Sequence, residues 1–441
     1  MRAHLIDFMK RPAVIAAVSV LALRGLTLLS RFLLSVLLAR MLSPDQMGQY
    51  GLITAVLAFA LLALGLEFYS HTLRELVPAS PARRAQIIGD QIALGAVTFL
   101  VVGLLSALAI WSGQFPSSLL PWFLLILATE HISLEATRIL IITSRPIRAY
   151  IGVFLRGGVW VYVITVLMFT VPSSQSLETV LAWWALGGAC SIIFAAFSLR
   201  ELPWRELRNK RPDWAWIFAG LRAARPFMLT AAGGMTISYV DRFVIDAFVG
   251  REALGIYTFY STIAIGILSL GASVSQQFLP KIIAAYGSGG VVFRKSVRSF
   301  FWSLSGVAGG MIVLAAGCIS PLLALLQLTQ YAQSVGVFFL MLPGILLRVL
   351  SDVPSYALYA ARADGKLLVC NVGSAIVSVL LNLALIPPLG IYGAALSSFA
   401  ANAVLIFALT FFALRRMRQY RAELGAPASI AVPTDADLLY P

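Results

Sequence analysis

From end to end the chain alternates long apolar runs with short polar breaks. Twelve runs stand out, near 12–38, 48–70, 87–111, 118–143, 148–171, 177–198, 226–248, 254–279, 297–325, 334–361, 367–387 and 391–414. Each is long enough to cross a hydrocarbon layer, which takes about 20 apolar residues as a helix. The breaks carry turn residues: Ser43-Pro44-Asp45, Phe115-Pro116-Ser117-Ser118, Pro172-Ser173-Ser174 and Pro387-Pro388-Leu389-Gly390. The pattern predicts an all-α polytopic membrane protein of about twelve transmembrane helices. The first run follows a basic start, but it is long and lacks an A-x-A site, so it reads as a retained helix and not a signal peptide.

Composition agrees. The chain is 60% hydrophobic and 12% charged, against about 45–50% and about 25% for a soluble protein. Its net charge of +14 is not a nucleic-acid signal, because Lys and Arg gather on the cytoplasmic side of membrane proteins. With the N-terminus placed inside, the outside loops hold only Arg40 and Arg251. The inside segments hold 25 of the 33, including Arg415, Arg416, Arg418 and Arg421, and six lie within the runs. Both termini are therefore expected in the cytoplasm, with an even number of spans. The outside loops are too short for a soluble catalytic domain. Cys190, Cys318 and Cys370 all lie in apolar runs and suggest neither a metal site nor a disulfide framework.

The longest break, 199–225, sets Trp204, Trp214 and Trp216 among Arg205, Arg208, Lys210 and Arg211. That mixture fits a helix lying at lipid headgroups or a plain basic linker. It divides the chain into a first six-helix bundle at 1–198 and a second at 226–421, followed by a tail, 422–441, expected to be mobile. The halves look related. Asp45-x-Met47-Gly48-x-Tyr50 returns as Glu252-x-Leu254-Gly255-x-Tyr257, and His131, Glu135 and Arg145 return as Arg348, Asp352 and Arg362. Repeated halves are common in transporters, with substrate bound between them near the midplane.

Charges inside the runs point to function, since each costs about 2.5–3.5 kcal/mol at the bilayer centre. Arg24 and Arg31 lie two turns apart on one face of the first run, and no acid in that run neutralises them. They suggest a cavity that binds an anion, with a structural partner on another helix as the other reading. The seventh run carries Asp241, Arg242 and Asp246, with Arg242 and Asp246 spaced to pair on one helix face. The tenth carries Arg348 and Asp352, and the fourth carries Glu130, His131, Glu135 and Arg138. These acids and the histidine could bind a coupling proton or sodium ion, or could form packing networks. Arg156 in the fifth run faces either the cavity or the headgroups. The pairs Gly309-Gly310 and Gly233-Gly234 read as close helix packing. There is no phosphate-binding G-x-x-x-x-G-K-[ST], no H-E-x-x-H and no G-x-S-x-G. Neither an organic cofactor nor a catalytic residue is expected.

The stretch from Leu37 to Tyr50, LLARMLSPDQMGQY, resembles the opening signature of polysaccharide export proteins. These are the Wzx-type flippases for lipid-linked oligosaccharides, in the MATE-like (MOP) flippase superfamily. Two further stretches agree: Val240-Asp241-Arg242-Phe243 followed by Glu252-Ala253-Leu254-Gly255-Ile256-Tyr257, and the segment from Asn382 to Ala395. The resemblance implies a V-shaped pair of six-helix bundles around a cationic cavity in the bacterial inner membrane. It implies an undecaprenyl-pyrophosphate oligosaccharide, for O-antigen or exopolysaccharide, as substrate. Membrane lipids are further implied partners, with a polysaccharide polymerase and chain-length machinery in the same assembly; nucleic acid is not. Arg24, Arg31, Arg242 and Arg348, with Arg156 as a further candidate, are the residues expected to face the anionic headgroup. Glu130, His131, Glu135, Asp246 and Asp352 are the candidates for ion coupling. Three rivals stand beside this reading: a cation-coupled multidrug exporter of the same superfamily, a membrane polymerase or transferase, and a scaffold for polysaccharide assembly.

Overall fold

The computed structural model describes residues 12–76, 79–109, 111, 117–201 and 211–425. The basic start with Arg2, Lys10 and Arg11 lies outside them. So do Phe115-Pro116, the linker residues Trp204, Arg205, Arg208 and Lys210, and the tail from 426 onward.

The described residues are helical almost throughout and contain no strand. The first half comprises α1 (Pro12–Met41), α2 (Pro44–Gly65), the short α3 (Tyr69–Leu76), α4 (Pro81–Ala109) and α5 (Leu120–Ile142). It continues with α6 (Pro146–Phe154), a single π turn (Leu155–Val159), α7 (Trp160–Thr170) and α8 (Leu177–Ser198). The second half comprises α9 (Trp214–Phe248), α10 (Arg251–Gly287), α11 (Gly290–Leu325), the one-turn α12 (Thr329–Ala332) and α13 (Val335–Leu350). It ends with α14 (Asp352–Ala360), α15 (Asp364–Leu389) and α16 (Ile391–Gly425). Counting α6–π–α7 and α13–α14 as one span each recovers the twelve predicted segments in order.

Ten of these spans are long and apolar enough to cross a membrane by length and composition. The other two, α5 and α9, carry Glu130, His131 and Glu135, and Asp241, Arg242 and Asp246, through their middles. Those charges lower their apolarity, and such charges are kept where they serve a function or a partner.

The polar breaks act as helix caps. Ser43 accepts a hydrogen bond from the Gln46 N–H while the Gln46 side chain accepts from the Ser43 N–H, a capping box with Pro44 at the first helical position. Ser176 caps α8 by accepting the Thr179 N–H, and Asp213 caps α9 by accepting the Trp216 N–H. After α5 the chain turns through Ser144 in the left-handed region. There Arg145 donates to the Ser198 carbonyl at 2.7 Å, closing the end of α8, and pairs with Glu201. That hydrogen bond and charge hold the exposed Glu201 carboxyl below its ordinary range.

Apart from the start of α9, the two halves share one core at the end where α2 and α10 begin. Leu37, Leu38 and Met47 of the first half pack there with Ile245, Leu254 and Tyr257 of the second. Contact at that end is backbone to backbone. A Cβ on Gly255 would overlap the Pro44 carbonyl, one on Gly48 the Arg251 carbonyl, and one on Gly51 the Thr258 side chain. So the repeated motifs Asp45–Tyr50 and Glu252–Tyr257 are the two faces of a single joint. Toward the opposite, basic end each half has its own core. One is built around Phe293, Phe300 and Leu358, and another around Ile87, Ile139 and Leu140.

The predicted boundary at 226 is corrected. α9 starts at Trp214 and runs 35 residues, which is about 52 Å at a rise of about 1.5 Å per residue. Its first turns dock on the first half. Trp216 packs edge-on to Phe68 at 5.4 Å and donates its Nε1–H to Glu75 at 2.8 Å. Asp90, fully buried on α4, accepts the Asp213 N–H at 3.0 Å. Pro226 lies inside the helix, beyond this docked stretch. α16 likewise runs through Gly425, so 422–425 are helical and not tail. Hydropathy missed these extensions because helical turns outside the hydrocarbon are as polar as loops. Gly233 does allow close packing, against the Asn371 backbone, but Gly309 and Gly310 meet no atom within 4 Å.

Candidate functional site

A cavity of about 300 Å³ lies between the halves. α1, α2, α5, the π turn, α7 and α8 wall it on one side, and α9 and α10 on the other. Three guanidinium groups line it: Arg31, Arg156 and Arg242, together with the single carboxylate Glu130. Tyr50, Trp160, Trp184 and Tyr239 supply an aromatic surface.

Each cation is held differently. Arg31 on α1 is exposed to the cavity and has no partner among the described residues. Gly157 leaves room beside it, since a Cβ there would stand 4.0 Å from Arg31 Nη2. Arg156 sits in the π turn, a feature often found at functional sites. Its Nε lies 3.4 Å from Glu130 Oε2. Glu130 also accepts the Trp184 Nε1–H at 2.9 Å, so its carboxylate is fully engaged. Arg242 on α9 is 2% exposed. It donates to the Gly51 carbonyl at 3.3 Å, to Thr54 at 2.9 Å and to Ser261 at 3.3 Å, and its guanidinium lies over Tyr239 at 4.8 Å. It thus ties α9 to α2 and α10 and places a fixed positive charge in the wall. Three cations against one carboxylate leave the cavity net positive in a low-dielectric setting, which selects anions.

Several expected residues stand elsewhere. Arg24 does not face the cavity. It donates to Tyr150, stacks over that ring at 4.5 Å and donates to Gln276 of α10 at 2.9 Å, linking the two halves. Replacing Arg24 with Ala should lower thermal stability in detergent while changing anion affinity by less than about twofold, because no cavity charge is lost. Arg242 and Asp246 do not pair. Arg242 is turned into the cavity wall, and Asp246 binds Arg251 through two contacts, at 3.0 and 3.2 Å, near the joint.

The fourth-run stripe splits. Only Glu130 faces the cavity. His131 and Glu135 line an apolar groove of about 480 Å³ between α4, α5 and α8. Glu135 is occupied by Gln91 and, at 2.5 Å, by Arg138. Arg348 and Asp352, 4.0 Å apart, line a separate recess inside the second half. The apparent match of His131 and Glu135 with Arg348 and Asp352 is therefore out of register by one residue. The inward-facing counterpart of Arg348 is Glu130, and the left-handed turn residues that follow, Ser144 and Arg362, keep the same shifted spacing. The aromatic lining escaped sequence reasoning because Trp and Tyr are as common in packed spans as in binding walls.

No protein-family profile matches the chain, and no curated protein matches it. Solved structures share its fold. One is described as the inward-facing conformation of a multidrug resistance MATE family transporter of the MOP superfamily, with a TM-score of 0.71 at 14% identity over 92% of this chain and 99% of that one. A second is the lipid II flippase MurJ in an inward closed conformation, with 0.65 at 13% over 93% and 90%. A third is a MOP superfamily transporter from Pyrococcus furiosus, described as having a binding pocket of reversed polarity, with 0.63 at 12% over 91% and 96%. The chain is thus a multi-pass membrane protein with the MOP transporter fold. These relatives in structure are transporters and a flippase, not enzymes.

Proposed function

We propose that this protein is a Wzx-type flippase that moves an undecaprenyl-pyrophosphate-linked oligosaccharide across the bacterial inner membrane. The observation that carries the reading is the meeting of Arg31, Arg156 and Arg242 in one cavity between the halves, with Glu130 as its only carboxylate. A pyrophosphate is a dense anion, and a guanidinium matches its oxygens through a two-pronged fork. The aromatic wall of Tyr50, Trp160, Trp184 and Tyr239 offers flat apolar faces to sugar rings. The isoprenoid chain stays in the bilayer.

Transport follows from two states of the joint. With α2 and α10 in backbone contact, the cavity is closed at the joint end. The basic end, expected in the cytoplasm, is where the headgroup enters. Separation of the joint and closure of the basic end then release it on the other face. The headgroup has to be bound less tightly in the second state, since only differential affinity shifts such an equilibrium. The three cations supply that difference, because Arg31 and Arg156 stand on the first half and Arg242 on the second, so that opening the joint draws them apart around the headgroup. A polymerase and chain-length machinery would then take up the product.

A second reading, export of cationic drugs, draws on the likeness to a multidrug transporter and on the aromatic wall. One experiment separates the two. Purified protein in liposomes receives a fluorescent polyprenyl-pyrophosphate oligosaccharide, and leaflet exposure is read by quencher access, with ethidium efflux measured in parallel. Lipid flipping without dye transport is the expected result; dye transport without flipping would overturn the flippase reading.

A further inference from the structure

The second half encloses a recess of its own, apart from the central cavity. Its volume is about 650 Å³, within the range of about 300–1,000 Å³ common for ligand sites. α9 walls it with Thr230 and Ser238, α13 and α14 with Arg348, Asp352 and Ser355, and α15 with Asn371. It begins one turn of α9 away from the central cavity, since Met235 lines the recess and Tyr239 lines the cavity. From there it extends toward the basic end. Tyr359, in the last turn of α14, and Leu367, in the first turn of α15, close that side, near Arg362 and Lys366 in the chain.

The recess is balanced in charge. Arg348 and Asp352, 4.0 Å apart, are the one cation and the one carboxylate among its lining residues. It therefore offers a dense anion no net attraction, unlike the cavity with its three cations and one carboxylate. Its other polar groups have spent their donors. Thr230, Ser238 and Ser355 donate their hydroxyl hydrogens to carbonyls of their own helices at 2.8, 2.9 and 2.7 Å, and the Asn371 amide donates to the Leu367 carbonyl at 2.9 Å. Each keeps an oxygen that can accept. With the Asp352 carboxylate, these oxygens make an acceptor-rich wall, suited to a ligand with several O–H donors and no charge. Tyr356, stacked on Phe300 at 5.6 Å, and the side chains of Met235 and Leu279 add apolar surface. A sugar ring has the matching division, with hydroxyls around its rim and C–H bonds on its faces.

Resting on the reading of the central cavity as the pyrophosphate site, we propose that this recess seats an uncharged sugar of the transported oligosaccharide and that Asp352 excludes acidic sugars from it. With the pyrophosphate at Arg31, Arg156 and Arg242, the sugar chain runs on past the aromatic wall. The recess, one helical turn away along α9, receives a later sugar of that chain. The Thr230, Ser355 and Asn371 oxygens accept its hydroxyls. An acidic sugar would bring its carboxylate against Asp352 and find Arg348 already paired. Selection among sugars then comes from a repulsive element as well as a fitted one.

The test uses the full chain in detergent and a set of undecaprenyl pyrophosphates. One is bare, others carry disaccharides ending in glucose, galactose, N-acetylglucosamine or rhamnose, and one carries a disaccharide ending in glucuronate. Quenching of Trp160 and Trp184 reads binding. At least one neutral-sugar lipid should bind about tenfold tighter than the bare lipid, and the glucuronate lipid should show no such gain. Asn371→Leu should cut the neutral-sugar gain to about threefold or less. Asp352→Asn frees Arg348 and should raise affinity for the glucuronate lipid about tenfold. Ser355→Cys, in a background without Cys190, Cys318 and Cys370, locates the sugar: the tighter neutral-sugar lipid should shield it from a thiol reagent and the bare lipid should not. Equal affinity for the bare lipid and every neutral-sugar lipid, or a Ser355→Cys left unshielded, overturns the proposal. Continued rejection of glucuronate by Asp352→Asn overturns the role of Asp352; should that variant fail to fold, the Ser355→Cys shielding still decides the site. A wild type that binds no undecaprenyl pyrophosphate, bare or extended, overturns the anion-cavity reading itself. Binding of the bare lipid with no sugar gain leaves that reading standing and overturns the sugar site alone.

Discussion

Replacing Arg31 with Gln should lower lipid flipping and sulfate or pyrophosphate affinity about 10- to 100-fold, with the thermal unfolding midpoint unchanged. The two halves of that expectation have one cause. Arg31 is the cavity cation with no partner among the described residues, so its removal breaks nothing in the resting protein. All of its value lies in hydrogen bonds to a bound anion, each worth about 1.5–3 kcal/mol when charge-assisted. Arg242→Gln makes the contrast. Its guanidinium is tied to Gly51, Thr54 and Ser261, so the same loss of charge should come with a clear loss of stability. Equal destabilisation by both changes would mean that Arg31 is structural and that the cavity is not read correctly. Binding is measured by tryptophan quenching and stability by thermal scanning in detergent.

Gly255→Leu should abolish flipping and weaken anion binding, because it disfavours the state that holds the headgroup more tightly. The substituted side chain would overlap the Pro44 carbonyl, which is backbone and cannot swing aside. Overpacking of this kind costs about 1–3 kcal/mol, and here only the closed joint bears it. Closed and open states would therefore change relative weight by about 5- to 150-fold. The check is labelling of a cysteine placed at Thr54, in a background without Cys190, Cys318 and Cys370, by a thiol reagent added from the joint side. Labelling should rise in Gly255→Leu. Unchanged labelling with normal flipping would show that the joint does not move in transport.

Much of this was legible in the chain. Span number and order came from apolar length alone, and the breaks before α2 and α8 came from the turn residues Ser43-Pro44-Asp45 and Pro172-Ser173-Ser174. The motif shared by Gly48 and Gly255 was visible as a repeat, but its meaning was not, because a repeat does not reveal that its copies touch each other. Arg31, Arg156 and Arg242 were found as charges in apolar runs. Arg24 was found by the same rule and belongs elsewhere, since hydropathy registers cost and is blind to partners; Tyr150 and Gln276 are too far off in sequence to announce themselves. The pairing of Arg242 with Asp246 failed for a related reason. Spacing on a helix permits contact, but Arg251 on the next helix competes for the same carboxylate. In α5, neighbours at 130 and 131 point about 100° apart, and one residue separates a cavity wall from a groove.

The docking of Asp213, Trp216 and Ile217 on the first half bears on how such a molecule could be built from two copies of one ancestor. The chain passes from copy to copy before α9, but the first turns of α9 are folded into the earlier copy, held by Glu75 and Asp90. The seam left by duplication and the seam along which the folded protein would divide are thus about three helical turns apart. A gene cut at residue 199 and expressed as two polypeptides would leave Phe68 and Asp90 uncovered on one fragment and a stranded aromatic stub on the other. Cut just before Pro226, the docked turns would stay on the fragment they cover.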